Sequence, residues 1–195
     1  MYHQNIMDHP QTKAGRPRNP ALDQAILSAA ARQLGELGYA RMSLESVAAA
    51  AGTTTPSLRR RYRDKAELAA AVIGSLRVQE PPASAPTPRA HALAILENFH
   101  SNLRAVPALA ILGSLLAEEE RHPELLDLFK TRIVEPRRAL LRQALAAGDL
   151  PDSADLDALT SMLIGSFYGR YVTVAGIPDD WPDRVLSAIW PPGTC

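Results

Sequence analysis

The junction Ala51-Gly52, followed at once by Thr53-Thr54-Thr55-Pro56, restricts this chain more than any other stretch. Before it, Leu44, Val47, Ala48 and Ala51 recur at helical spacing, so a short helix has one apolar face. Ser43 can cap that helix through its hydroxyl. Gly52 stands just past the last periodic residue, where a left-handed turn residue is expected. A second helix opens on the threonines with Pro56 in its first turn, where the missing N–H had no intrahelical partner. The alanines keep the first helix thin, so the second can cross it closely. Two short helices crossing at a glycine make a helix-turn-helix.

The second helix carries the chemistry. Thr53, Thr54, Thr55 and Ser57 place short hydroxyls near its start, within reach of base edges or phosphates. Arg59, Arg60, Arg61, Arg63 and Lys65 follow as five cations in seven positions. Arginine meets phosphate as a planar fork and can pair guanine O6 and N7. The same cluster also reads as a solvated basic helix end that suits the helix dipole. The glycine turn and hydroxyl-rich start beside it favour DNA.

Residues 19 to 73 resemble the DNA-binding domain of TetR-type bacterial regulators. The resemblance rests on Ala51-Gly52, Ser57-Leu58, Tyr62, and Lys65 followed by Leu68. At Arg59 the family often carries an aromatic residue that touches phosphate, a contact arginine can also make. The C-terminal half resembles the effector and dimerisation domains of the same family more loosely, through His122-Pro123-Glu124-Leu125, the internal Pro136, and a late apolar helix containing Gly165 and Gly169. The resemblance implies a homodimer paired through roughly residues 153–190. It also implies repression of nearby genes, relieved when a small molecule binds the C-terminal bundle, and a phosphate contact at Lys65.

Composition agrees with an all-α chain. Hydrophobic residues make up 46% and aromatics only 5% of 195 residues. Alanine and leucine abound, which suits helices packed by small and aliphatic side chains. No run of 18 apolar residues exists, so no membrane span is expected, and the opening residues lack the apolar segment of a signal peptide. The single cysteine, Cys195, excludes a disulfide framework and fits a cytoplasmic home. Residues 1–80 carry 11 Lys+Arg against 7 Asp+Glu, and residues 81–195 carry 10 against 14. The cations therefore lie in the half that would meet phosphates.

In chain order, residues 1–18 read as a flexible basic arm. Arg16 and Arg18 can follow a minor groove, or the arm can be a solubilising tail. A first helix spans about 20–37, with Leu22, Ile26, Ala30, Leu34 and Leu37 on one face and Gly38 as its stop. The helix-turn-helix covers about 43–62. Asp64 then caps a fourth helix running to about 78, with Glu67 completing a capping box. These elements form a DNA-binding domain over 19–79. Residues 80–88 hold four prolines in nine positions, which no helix survives, and mark a linker.

Residues 89–195 read as an effector-binding and dimerisation domain. Its helices span about 89–105, 107–121, 123–147 with a kink at Pro136, 153–175 and 183–189, so the chain has about nine. The helix over 153–175 is apolar round most of its circumference, and a second copy of the chain is its natural cover. Phe99, Leu103, Leu112, Leu116, Phe129, Ile133, Leu163, Phe167 and Tyr171 either line a cavity or form ordinary core. Few charges fall on these faces, so a ligand there would be apolar or aromatic. The acidic run Glu118 to Glu120, with His100 and His122, has no metal-site spacing, and no metal or cofactor is expected. Nucleophile-elbow, phosphate-loop and HExxH motifs are absent, so no enzymatic activity is expected.

The expected DNA contacts are Arg16, Arg18, Ser43, Thr53, Thr54, Thr55, Ser57, Arg59, Arg60, Tyr62 and Lys65. Double-stranded DNA with a pseudo-palindromic operator is the expected partner. The alternative is a helical interaction module whose arginines meet an acidic protein.

Overall fold

A computed structural model describes residues 19–76, 79–105, 108–174 and 176–192. Its described residues form helices and connections, with no strand. The helices are α1 (Pro20–Glu36), α2 (Gly38–Arg41), α3 (Leu44–Ala50), α4 (Thr55–Arg59), α5 (Lys65–Ser75), α6 (Pro88–Ala105), α7 (Ala108–Ala117), α8 (Pro123–Phe129), α9 (Glu135–Ala146), α10 (Leu156–Thr173) and α11 (Trp181–Ile189). A π-helical turn, Lys130–Val134, joins α8 to α9.

Local chemistry fixes most boundaries. The Asn19 side chain accepts from the backbone N–H groups of Ala21 and Leu22, and Pro20 sits in the first turn of α1. Gly38, with φ of +79°, turns the chain out of α1 into the single turn of α2, one helix more than the periodicity predicts. Asp64 accepts from the Glu67 N–H at 2.8 Å. The Glu67 carboxylate accepts from the Arg63 N–H at 2.7 Å rather than from Asp64, so the capping box closes one residue early. Asp155 caps α10 through the N–H groups of Asp157 and Ala158, which starts that helix later than Ser153.

Pro136 shapes the long helix differently from a plain kink. Its ring has no N–H to donate to the preceding turn. The five residues before Glu135 widen into the π turn, and the Glu135 N–H reaches Lys130 O. Arg137 Nη1 donates to Ile133 O at 2.9 Å, satisfying a carbonyl beside this irregularity.

Two hydrophobic cores form, and residues 80–88 do not separate them. One unites α1 to α5 with Ile111 and Leu115 of α7 and Leu125, Leu126 and Phe129 of α8. The other unites α6, α9, α10 and α11 around Leu96, Leu141, Leu145, Leu163 and Phe167. The first of these cores therefore joins the helix-turn-helix to the C-terminal half.

Tyr171 of α10 departs from its expected inward placement and is 55% exposed. Leu116, at the end of α7, is 51% exposed.

Candidate nucleic-acid interface and effector cavity

The helix-turn-helix assembles from its own caps. Ser43 Oγ accepts from the Ser46 N–H at 3.1 Å, and Ser46 Oγ accepts from the Ser43 N–H at 3.3 Å. Ser46 Oγ also donates to Gln33 Oε1 at 2.7 Å, which fastens α3 to α1. At the far end the Thr53 N–H reaches Ala48 O and the Gly52 N–H reaches Ala49 O. These two bonds make a Schellman turn, and Gly52 holds its left-handed position at φ +66°. Thr54 then caps α4 by accepting from the Ser57 N–H at 3.3 Å. Leu58 pins α4 to the core and is fully buried.

That anchor leaves the opposite face of α4 outward. Thr54, Pro56, Arg59 and Arg60 are exposed, and Thr53, Thr55 and Ser57 are half-buried. Arg60 makes no ion pair among the described residues. Arg59 meets Glu45 of α3 at 3.3 Å with both side chains more than half exposed. Such a pair is worth little in water and yields readily to phosphate. Arg63 pairs with Glu67 at 3.0 Å on the exposed start of α5, and the Arg63 backbone N–H, followed by this side chain, lowers the Glu67 carboxyl from its ordinary value.

Arg61 points the other way. Its Nε donates to Asp23 Oδ1 of α1 at 2.6 Å, and its Nη1 donates to Ser57 O and Ser57 Oγ at 3.2 Å. It is a strut that fixes α4 against α1. Tyr62 is half-buried and packs against the first core.

Lys65 is engaged within the protein. Its Nζ donates to the carbonyls of Tyr39 at 2.9 Å and Ala40 at 3.2 Å, capping α2. Ser43 is likewise committed to the start of α3. Arg16 and Arg18 lie outside the described residues. Sequence patterns did not reveal Tyr39, Asp23, Glu45 or Gln33, the partners that orient this face, because each lies far along the chain from the group it holds.

Below the helix-turn-helix lies a largely apolar cavity of about 80 Å³. Phe99, Leu103, Leu112, Phe129 and Ile133 line it, five of the nine residues expected there. The other four lie elsewhere, two of them in ordinary core, the alternative placement. Leu163 and Phe167 face the second core, where Phe167 meets Phe99 edge-on at 5.1 Å. Leu116 and Tyr171 are more than half exposed, so no described helix covers them. The lining also includes three polar side chains absent from the sequence reading: Asn102, Arg137 and Tyr168. Burial raises the Tyr168 hydroxyl above its ordinary value, so it stays a neutral donor at physiological pH.

The compact helix-turn-helix, carried on a larger helical body, matches known proteins throughout. Residues 26–72 fit the sequence model of bacterial regulatory proteins of the tetR family, and residues 82–189 fit that of the tetracyclin repressor-like C-terminal domain. The chain belongs to the TetR family. An HTH-type transcriptional regulator of Mycobacterium bovis is 31% identical over 82% of each chain. Among solved structures, the hemolysin II transcriptional regulator HlyIIR is similar at a TM-score of 0.65 and 18% identity, over 87% of this chain and 97% of that one. MexZ, a repressor involved in antibiotic resistance in Pseudomonas aeruginosa, is similar at 0.60 and 19% identity, over 88% and 92%. This TetR-family chain is thus a transcriptional regulator with a DNA-binding helix-turn-helix, in a family whose members bind DNA as homodimers. No helix among the described residues is long and apolar enough to cross a membrane.

Proposed function

We propose that this TetR-family regulator is a cytoplasmic, ligand-responsive repressor that binds a pseudo-palindromic operator as a homodimer. The observation that carries the reading is the outer face of α4. Thr55, Ser57 and Arg59 lie on this short helix and Thr54 and Arg60 cap its two ends, while Leu58 and Arg61 fix its inner side, Arg61 also bonding the Ser57 hydroxyl. Hydroxyls near its start read bases, and cations at its end hold phosphate. One such helix reads only a few base pairs, so a two-fold pair of them is needed for a useful site.

The dimer forms through α10 and α11, within residues 153–190. Met162, Tyr171 and Val172 are exposed on α10, at 61%, 55% and 80%. Gly165 and Gly169 lie on the same helix, and a Cβ added at either would meet nothing within 4 Å. A partner helix can approach closely there, and exposed apolar side chains of this size favour being covered. The division of labour follows: residues 19–79 read DNA, 80–88 connect, and 89–195 sense and dimerise.

The cavity of Phe99, Leu103, Leu112, Phe129 and Ile133 takes an apolar or aromatic effector. Leu76, the cap residue of α5, lines the same cavity. Its occupant therefore touches the end of the helix that begins at Lys65. To release DNA the effector must bind the DNA-free arrangement better than the bound one. Selection of operators from random duplex DNA at near-physiological salt tests the reading. A two-fold symmetric site is expected, and absence of any DNA binding overturns it.

A further inference from the structure

Arg137 is the single charged residue lining the cavity among the described residues, and its bonding is incomplete. Its side chain is 13% exposed. Nη1 is committed to Ile133 O, and Nη2 donates to Glu80 Oε1 at 3.2 Å. Nε is buried with no hydrogen-bond partner among the described residues. Nε and Nη2 form one edge of the guanidinium, the edge that grips a carboxylate with two parallel bonds. Glu80 uses half of that edge.

The two partners differ in what they would lose on parting. Glu80 is 75% exposed and returns to water easily. Arg137 is largely buried and needs an anion beside it, since an unpaired buried guanidinium is strongly disfavoured. The site therefore retains a demand for negative charge that an exposed, one-bonded carboxylate meets poorly.

Size points to the same place. A cavity of about 80 Å³ holds only a small group, whereas sites for drug-sized ligands run to roughly 300–1,000 Å³. Something must give way for an effector to enter. Two polar groups of the lining are bonded to residues 79 and 80: Asn102 to both the N–H and the carbonyl of Gln79, at 2.8 and 2.9 Å, and Arg137 to Glu80.

We infer that the effector is an amphipathic anion, an apolar body bearing one carboxylate or similar group, which replaces Glu80 on Arg137. Its charged group engages Nε and Nη2 together while its body spreads among Phe99, Leu103 and Leu112. Losing Glu80 removes one of the two ties that hold residues 79 and 80 to the cavity, so recognition of charge is coupled to the half of the chain that carries the DNA-reading helices. This rests on the reading of the cavity as the effector site.

Matched probes test it by calorimetry on the full chain: 2-naphthoate and its neutral amide, 2-naphthamide. The acid is expected to bind about ten- to a hundredfold tighter than the amide, the worth of a charged hydrogen-bonded contact. Arg137→Gln should abolish that advantage while leaving amide binding unchanged, which also reports an intact cavity. Glu80→Gln, on the exposed connection, should tighten the acid several-fold by removing its competitor and leave the amide unmoved. Leu112→Trp, which fills the cavity, should weaken both. Equal binding of acid and amide, or an unchanged acid affinity in Glu80→Gln, overturns the anion and leaves the cavity reading standing. Binding of neither probe, or binding indifferent to Leu112→Trp, overturns the cavity reading itself.

Discussion

The ammonium of Lys65 sits 4.3 Å from the centre of the Tyr39 ring while donating to the carbonyl of the same tyrosine. Tyr39 is 3% exposed, its N–H donates to Ser114 Oγ of α7 at 2.7 Å, and its ring meets His122 edge-on at 4.8 Å. One residue thus ties the start of α5, where the family places a phosphate contact, to α7 and the entry of α8. Both of those helices contribute to the cavity through Leu112 and Phe129.

Lys65→Ala should therefore act twice. Affinity for all duplexes falls about equally, and the salt dependence of binding drops by about one charge. The free protein also loses about 1 kcal/mol, since two carbonyls of α2 lose a partly solvated charged donor. Binding titrations over a salt series, beside urea melts without DNA, separate the two effects. An unchanged salt slope would remove Lys65 from the phosphate contacts.

Arg60 and Thr55 should divide affinity from specificity. Arg60 is exposed and makes no ion pair among the described residues, so Arg60→Ala should leave stability within about 0.5 kcal/mol. It should weaken binding to specific and random DNA alike. Thr55→Val keeps the shape of the side chain and removes its hydroxyl, so it should change which sequences are selected. A uniform loss on all sequences for Thr55→Val would contradict base reading by that residue.

Asp23→Asn tests the strut behind the recognition helix. The Asp23–Arg61 pair is 31% and 19% exposed, so salt screens it only partly. The substitution should lower stability by about 1 kcal/mol, and most of that loss should persist at high salt. Equal denaturation midpoints for the two proteins would show that Arg61 needs no anion to hold α4.

Most helices of this fold were legible because their signals are local. Asn19, Ser43, Thr54 and Asp64 each cap a helix within three residues of their own position, and Gly52 turns the chain where the apolar spacing ends. Apolar period found the buried faces of α1 and α3 for the same reason. What stayed hidden depends on residues far apart in the chain. Lys65 reads as a free cation until Tyr39 is folded beside it, and nothing in the sequence marks Arg137 until the fold places it on the cavity. Leu116 and Tyr171 fit a helical stripe, yet periodicity cannot say which stripe another helix covers. The candidate DNA face was thus mostly visible in sequence, and the polar part of the cavity was not.

Gly148, two residues past the end of α9, lies against the indole of Trp190. A Cβ at this position would lie 2.1 Å from the Trp190 ring, far inside contact distance. The ring cannot swing away cheaply, because its Nε1 donates to Asp149 Oδ1 at 2.7 Å and the Trp190 carbonyl accepts from Arg89 at 2.9 Å. Gly148→Ala should cost about 1–3 kcal/mol as an overpacked site. The tryptophan emission should shift as the indole is displaced. Unchanged stability and emission would show that the end of the chain repacks freely.

Two buried phenols make stability sensitive to alkaline pH. Burial raises the Tyr39 hydroxyl above its ordinary 10.0, and the carboxylates of Glu124, Asp64 and Glu118 push it further. Burial alone raises Tyr168 in the same direction. In both cases folding favours the neutral phenol over the phenolate. The resulting stability is fully present below pH 10, where the unfolded phenol is still protonated, and is lost as pH rises through the higher folded value. Melting temperature should therefore decline above pH 10 more steeply in the native protein than in Tyr39→Phe or Tyr168→Phe, each of which removes one titrating group. Each variant is compared with its own value at pH 8, so the packing effect of the lost hydroxyl cancels. Parallel declines in all three proteins would show that neither phenol is held neutral by the fold.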